Sequence, residues 1–172
     1  MATATLISVD EYLKTTYRPD CDYVDGEVLE RSLGEQDHSD LQSELVFYFR
    51  ARRRQWKCHA FAEQRVQVSA KRFRIPDVCV ILGAKPSDQI FRTPPFLCIE
   101  VLSKDDTLDS LQARVDDYLN FGVTYVWVMN PRTRRAWVYT ASGIEEAKDG
   151  MLRTQKPELT VSLKELFAGL DE

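Results

Sequence analysis

Two carboxylates interrupt the two most apolar stretches of this sequence. Asp77 stands within RIPDVCVI (74–81), and Glu100 stands within FLCIEVL (96–102). A carboxylate in a stretch that otherwise resembles protein core is costly unless it is protonated, paired or bound to a cation. Two such acids on neighbouring strands repel each other, and a divalent metal ion removes that conflict. Ligands that are all oxygen favour Mg²⁺ or Mn²⁺, which retain water and accept phosphate oxygens.

A metal held by these two acids predicts hydrolysis of a phosphodiester, because the ion polarises the ester and lowers the pKa of an attacking water. The hypothesis requires Asp77 and Glu100 to lie roughly 4–6 Å apart, since metal–oxygen distances are about 2.1 Å. Each acid alone is more often structural, because Pro-Asp also begins strands and a strand glutamate often meets an arginine. Acids on opposite faces, or acids that each pair with their own arginine, would remove the need for a cation.

The elements that must position the two acids follow from the spacing of apolar residues. Residues 58–68, 73–82 and 96–102 are predicted strands, and the last two resemble central strands covered on both faces. Caps at Asp37, Ser39 or Asp40 predict a helix that continues to about Arg54. A second helix is predicted from Leu108 to its stop at Gly122. With the strand at 125–129, this helix predicts a right-handed βαβ crossover.

Both ends of the chain carry further short elements. Ser8 caps a short helix, and Asp25-Gly26 is typical of the two-residue turn of a β-hairpin. The strand at 135–140 pairs back on 125–129, and weaker strands near Ile144 and Met151 precede a short helix at 163–167. These elements predict an α/β fold with a mixed central β-sheet flanked by helices and extra β-hairpins at both ends. Residues 1–172 are expected to form a single domain.

Charge and apolar content limit the classes of protein to consider. The net charge of −4 over 172 residues argues against nonspecific coating of nucleic acid. Basic clusters at 50–57, 71–74 and 132–135 nevertheless suit an anionic polymer that approaches one face. Solvated arginines at element ends explain each cluster equally well. No stretch approaches the ~20 apolar residues of a membrane span, and the N-terminus lacks the pattern of a secretory signal. We expect a cytoplasmic protein with no membrane partner.

The cysteines predict core packing rather than a zinc site or disulfides. Four cysteines are scattered without a CxxC pair, and only two histidines occur in the chain. Neither the spacing nor the predicted compartment supports a metal or disulfide framework.

The arrangement of these residues resembles the PD-(D/E)XK nuclease superfamily: Pro76-Asp77 is followed, after a loop, by Glu-Val-Leu-Ser at 100–103. More closely, the chain resembles a bacterial branch of restriction endonuclease-like proteins common in cyanobacteria. That likeness covers most of the chain and includes YVDGE at 23–27, His38, Tyr118, Gly122-Val123 and VWVMNP at 126–131. The resemblance implies a restriction endonuclease-like core and Mg²⁺-dependent cleavage of DNA.

One departure from the superfamily concerns its lysine. The superfamily places this lysine two residues after the glutamate, where this chain has Leu102. Members of the resembling branch move it to the following helix, and the matching residue here is Arg114. A permanently charged guanidinium can stabilise a pentacovalent phosphate but transfers protons poorly. The alternative is an exposed arginine paired with Asp116 or Asp117.

Three further residues complete the candidate site. Glu44 could add a carboxylate from the first long helix, and His38 could hydrogen-bond a site carboxylate or position a water. Glu63, on the polar face of its strand, could assist metal binding. The predicted catalytic residues are therefore Asp77, Glu100, Arg114, Glu44 and His38, and the predicted metal ligands are Asp77, Glu100 and Glu63.

Three functions compete at this point. The leading one is a DNA endonuclease dependent on Mg²⁺ (or Mn²⁺). The second is a nuclease-fold protein that has lost catalysis and serves as a nucleic-acid-binding or assembly module, motivated by the missing lysine. The third is a homodimeric structural domain whose C-terminal hairpin forms the interface. A homodimer would also suit a nuclease, because two-fold symmetry matches duplex DNA.

Overall fold

The computed structural model describes residues 5–32 and 34–171. Its elements, in chain order, are α1 (Val9–Lys14), β1 (Asp22–Val24), β2 (Glu27–Leu29), α2 (Gln36–Ala51), α3 (Arg53–Trp56), β3 (Cys58–Ala62), β4 (Val66–Ser69), β5 (Arg72–Arg74), β6 (Val78–Leu82), β7 (Leu97–Val101), α4 (Leu108–Phe121), β8 (Tyr125–Asn130), β9 (Arg135–Thr140), β10 (Gly143–Glu146), β11 (Met151–Arg153), β12 (Thr160–Ser162) and α5 (Leu163–Ala168). A short 3-10 helix, Gly169–Asp171, follows α5.

A mixed sheet of six strands forms the centre of the molecule, in the order β10-β9-β8-β7-β6-β3. Strands β7 and β8 are parallel and joined by α4, whereas the other neighbours are antiparallel. The predicted α/β fold with a mixed sheet and a βαβ connection is therefore confirmed. Nearly all of β6 and β7 is buried, which explains why their sequences are apolar on both faces.

Helices cover both faces of this sheet, and side chains alternate between them with the two-residue period of a strand. Val78 and Val80 of β6 face a core built with α2 and α5, which includes Leu41 and Leu45. The alternate residue Cys79 faces a second core, and its further members Cys98, Val115 and Tyr118 come from β7 and α4. All four cysteines are buried and unbridged, so the prediction of core packing is confirmed.

A smaller sheet, in the order β2-β1-β5-β4, lies alongside the central one. Its β1–β2 hairpin turns at Asp25 and Gly26, with φ values of 51° and 106°, as predicted for an Asp-Gly turn. The C-terminal strands β11 and β12 form a separate antiparallel pair. Hairpins therefore occur at both ends of the chain, as predicted.

Two segments predicted as single strands are each divided between the two sheets. Residues 58–68 form β3 and β4, which are separated at Glu63, where φ is 50°. Residues 73–82 form β5 and β6, which are separated around Pro76. Proline has no N–H to donate to a ladder, so pairing is interrupted where the chain leaves the small sheet. Asp77 consequently stands at the entry to β6.

The first long helix also differs from its prediction in detail. Helix α2 begins at Gln36 after Glu35, which makes no side-chain capping hydrogen bond, and it ends at Ala51 before the separate α3. The prediction for α4 is confirmed at both ends. Thr107 and Ser110 form a capping box, and Gly122, with φ 111°, ends the helix.

Candidate active site

Strand pairing brings Asp77 and Glu100 together. Strands β6 and β7 pair with Val78 opposite Ile99, so extending the same register by one residue puts Asp77 opposite Glu100. Residues directly opposite each other in an antiparallel pair have Cβ atoms about 4.5–5.5 Å apart. Both acids line one cleft. They therefore meet the requirement that they share a face.

The Asp77 carboxylate lies at the floor of this cleft and is only 3% exposed. Its Oδ1 accepts a hydrogen bond from Nη2 of Arg31 at 2.7 Å, and its Oδ2 accepts one from the backbone N–H of Val101 at 2.7 Å. The Nε2 of His38 lies 3.4 Å from the same Oδ2. Gln42 donates to the backbone carbonyl of Asp77 at 2.9 Å. Four neighbours therefore fix the orientation of this acid.

The Glu100 carboxylate is equally buried and has two side-chain donors. The hydroxyl of Tyr118 donates to Oε1 at 2.6 Å, and Nε of Arg114 donates to Oε2 at 3.1 Å. Burial raises the pKa of Glu100 to about 7, and the neighbouring charge of Asp77 acts in the same direction, against the opposing effects of Arg114 and Tyr118. Glu100 therefore exchanges its proton close to neutral pH.

Arg114 reaches the cleft from α4, where it lies four residues before Tyr118 on the same helix face. Besides Glu100, it contacts Oδ1 of Asp106 through Nη2 at 2.8 Å. The alternative pairing of Arg114 with Asp116 or Asp117 is wrong. Asp116 accepts from Gln112, whereas Asp117 accepts from arginines of β5. Arg114 is therefore held from two sides, by one acid of the cleft floor and one of its rim.

Of the remaining predicted residues, His38 and Glu63 line the cleft and Glu44 does not. His38 lies in the cleft, and although its burial acts in the opposite direction, Asp77 raises the pKa of His38 above its ordinary value. Glu63 lies at the mouth, with its side chain 52% exposed. Glu44 instead packs against Gly169, which contradicts its predicted place in the site. The physical reason is helix geometry: Glu44 is two residues after Gln42, about 200° further round α2.

The cleft is lined by more acidic than basic side chains. Its wall carries seven carboxylates and three arginines, so acids exceed arginines by four. The acids are Asp22, Glu30, Glu63, Asp77, Glu100, Asp105 and Asp106, and the arginines are Arg31, Arg74 and Arg114. A phosphodiester approaching this wall would be repelled unless cations neutralised part of its charge.

The donor set fits a hard divalent cation in its chemistry, but the present arrangement does not offer a ready-made cage. Among residues 5–32 and 34–171, no three His, Cys, Asp or Glu side chains converge as a metal site. Asp77 and Glu100 each have an arginine of their own, which meets one of the two conditions under which the acids would need no cation. Magnesium, however, commonly binds through one or two carboxylates together with water and substrate oxygens. The paired acids and the excess of negative charge satisfy that lesser requirement.

Several contacts of the site were missed by sequence reasoning. Tyr118 entered the sequence analysis only through the family resemblance and was given no role in the site, yet its hydroxyl contacts Glu100. Its position four residues after Arg114, on the same helix face, was an available signal. Arg31 and Gln42 contact Asp77 over 46 and 35 residues of sequence. No local pattern links residues so far apart.

A buried ionic network joins the small sheet to α4 beside the cleft. Arg74 is 4% exposed and donates to Asp117 at 2.7 Å and to Asp22 at 3.0 Å. Arg72 donates to Asp117 at 2.7 Å and also to Asp25. Two arginines of the basic cluster at 71–74 therefore serve the interior of the fold. Arg72 and Arg74 are both paired with acids, so neither of these two arginines is a free cation at the surface.

Comparisons with known proteins agree with the fold and with the class of the site. The profile of the Uma2 family, described as "Putative restriction endonuclease", matches residues 9–171. A crystal structure from Anabaena variabilis, described as a "putative nuclease belonging to DUF820", superposes with a TM-score of 0.82 at 25% sequence identity. The similarity covers 95% of this chain and 99% of that one. Among proteins with curated annotation, none matches this sequence. Within the described part of the chain, no helix has the length and apolar character needed to cross a membrane.

Proposed function

We propose that this chain, which belongs to the Uma2 family, is a nuclease that uses Mg²⁺ or Mn²⁺ to hydrolyse phosphodiester bonds of DNA. The observation that carries the proposal is that Asp77 and Glu100, one step beyond the Val78–Ile99 pair of β6 and β7, lie together at the floor of an acidic cleft. The family and the Anabaena neighbour support the nuclease class. The choice of metal rests on the carboxylate donors. DNA as the substrate rests on the resemblance to the superfamily.

The carboxylates of the cleft would hold the cation. Asp77 and Glu100 would be its ligands, and Glu63 at the mouth would assist them. When bound, the cation would polarise the phosphodiester and lower the pKa of the attacking water. The backbone N–H of Val101 and the side chain of Gln42 hold Asp77 in place, so this ligand is preorganised.

Arg114 and His38 have separate roles in this proposal. Arg114 is anchored by Asp106 beside Glu100, and its permanent positive charge would stabilise the charge that develops on the phosphate. Because an arginine transfers protons poorly, we do not assign it a role as a general base. His38 contacts Asp77 and acts as a positioning residue for that carboxylate.

The test is cleavage of supercoiled plasmid in Mg²⁺ or Mn²⁺ by the wild-type protein, Asp77→Asn and Glu100→Gln. We expect the wild type to nick or linearise the plasmid and each variant to lose at least about 100-fold in rate, the scale of a single electrostatic group in an active site. Glu44→Gln, which changes an acid outside the cleft, is the matched control and should cleave like the wild type. Equal cleavage by all proteins, or none in any metal, would reject the proposal.

A specific observation favours one other function, that of a nuclease-fold protein that binds nucleic acid without cleaving it. Each buried acid already has an arginine partner, and Arg114 stands where the resemblance to the nuclease branch implies a lysine. Such a module would bind duplex DNA equally well in chelator and in Mg²⁺. Calorimetric titration with metal separates the two functions. The nuclease should give a heat of metal binding that Glu100→Gln abolishes, whereas the non-cleaving module should give no such heat.

A further inference from the structure

Arg31 connects two of the three carboxylates assigned to the metal. Its Nη2 lies 2.7 Å from Oδ1 of Asp77, and its Nη1 lies 3.5 Å from Oε1 of Glu63. The two terminal nitrogens of one guanidinium thus face two different acids. A cation shared by Asp77 and Glu63 would have to occupy the space in which this guanidinium lies.

The two arginines of the cleft differ in how they are held. Arg114 has a second partner, Asp106, at 2.8 Å, so it stays anchored even if Glu100 turns towards a cation. Arg31 belongs to the irregular segment between β2 and α2. Its second partner, Glu63, is half exposed and more distant. Arg31 is therefore the guanidinium that can leave the acids at the lower cost.

We propose that Arg31 is an internal counter-ion that fills the cation position in the metal-free protein, and that a divalent cation binds only when its guanidinium withdraws. This inference rests on the proposed metal-dependent function. Asp77 and Glu100 are buried opposite one another, and uncompensated charges in that setting destabilise a fold. A guanidinium relieves this repulsion until the metal replaces it. Metal binding is then an exchange of cations, and competition lowers the apparent affinity for metal.

The test is calorimetric titration of Mn²⁺ into the wild-type protein, Arg31→Gln and Arg92→Gln. Removing the competing guanidinium should tighten Mn²⁺ binding by about tenfold, which corresponds to the loss of one modest competing interaction. Arg92 is half exposed and pairs with Asp88, so Arg92→Gln removes the same charge outside the cleft. We expect this control to remain within about twofold of the wild type.

Thermal unfolding provides a second measurement that does not depend on cleavage. In chelator, Arg31→Gln should melt below the wild type, because Asp77 has lost its counter-ion, and Mn²⁺ should raise its Tm more than that of the wild type. Arg31→Lys keeps the charge but has no fork to span Asp77 and Glu63. The Mn²⁺ affinity of Arg31→Lys should fall between those of the wild type and Arg31→Gln. If Arg31→Gln does not fold, the comparison of Arg31→Lys with the wild type replaces it.

The outcomes separate this inference from the function on which it rests. Mn²⁺ binding that is unchanged or weaker in Arg31→Gln overturns the counter-ion role and leaves the metal-dependent function standing. No Mn²⁺ binding by either protein removes the metal site itself, and the inference with it.

Discussion

Among individual residues, Glu100 shows how burial makes one carboxyl group sensitive to pH. Its folded-state pKa of about 7 lies above the ordinary value of 4.5. Between these values the folded protein binds more protons than the unfolded chain, so stability contributed by the neutral carboxyl is lost as the pH rises through about 7. Without a divalent cation, the protein should therefore be less stable above about pH 7 than near pH 5.

Replacing Glu100 with glutamine removes this pH dependence. In chelator, the free energy of unfolding of Glu100→Gln minus that of the wild type should be larger at pH 8 than at pH 5, by on the order of 1–3 kcal/mol, because only the wild type loses stability over this range. Urea denaturation at the two pH values measures the difference. Glu44→Gln, at a partly exposed acid beside Gly169, is the control and should show a much smaller change with pH. The same difference for Glu100→Gln at both pH values would contradict the account.

At the scale of elements, the network around Arg74 fastens the small sheet to α4. Arg74 comes from β5, whereas its partners Asp22 and Asp117 come from β1 and α4. Because α4 also carries Arg114 and Tyr118, the position of the cleft wall depends on this attachment. Such buried ion pairs contribute little net stability when intact, but removing one partner leaves charges without compensation.

Arg74→Met should consequently destabilise the protein by about 3–5 kcal/mol, because two buried carboxylates lose a shared partner. Denaturation by urea at neutral pH measures the loss. Arg92→Gln breaks an exposed pair and should cost less than about 1 kcal/mol. A cost for Arg74→Met as small as that of the control would show that Arg72 alone can hold α4 against the small sheet.

For the whole molecule, the proposed function requires a chain of net charge −4 with an acidic cleft to approach DNA. The basic cluster at 50–57 differs from the cluster at 71–74. Its residues Arg53 and Arg54 are exposed, and neither forms an ion pair with any residue that the structure describes. Under the proposed function, this end of α2 and the adjoining α3 would contact the phosphate backbone away from the site of cleavage.

The double variant Arg53→Gln, Arg54→Gln should therefore bind a short DNA duplex more weakly at every sequence. It should also reduce the slope of log K against log salt concentration by about 2, since two phosphate contacts are lost. Fluorescence anisotropy over a series of salt concentrations measures both effects. Arg92→Gln, Arg153→Gln, which removes two surface arginines that pair with neighbouring acids, is the matched control. An equal slope for both double variants would show that the cluster at 50–57 does not contact DNA.

Local sequence by itself determined the elements whose formation depends on neighbours along the chain. The β1–β2 hairpin follows from Asp25-Gly26, and α4 follows from its apolar spacing, its Thr107 cap and its Gly122 stop. The same local reasoning identified Asp77 and Glu100, because a charge within an apolar strand is conspicuous without any structure. For Arg114 the sequence left two directions open, into the site or outwards to Asp116 or Asp117, and the structure decided for the site.

Only the tertiary structure decided which groups neutralise those acids. Arg31 and Asp77 are 46 residues apart, and Arg74 and Asp117 are 43 apart. Their pairing depends on how two sheets and a helix dock, which no local period encodes. The division of residues 58–68 and 73–82 between two sheets likewise reflects competition among distant strand partners. Sequence could therefore locate the buried charge, but long-range packing determined that arginines accompany it.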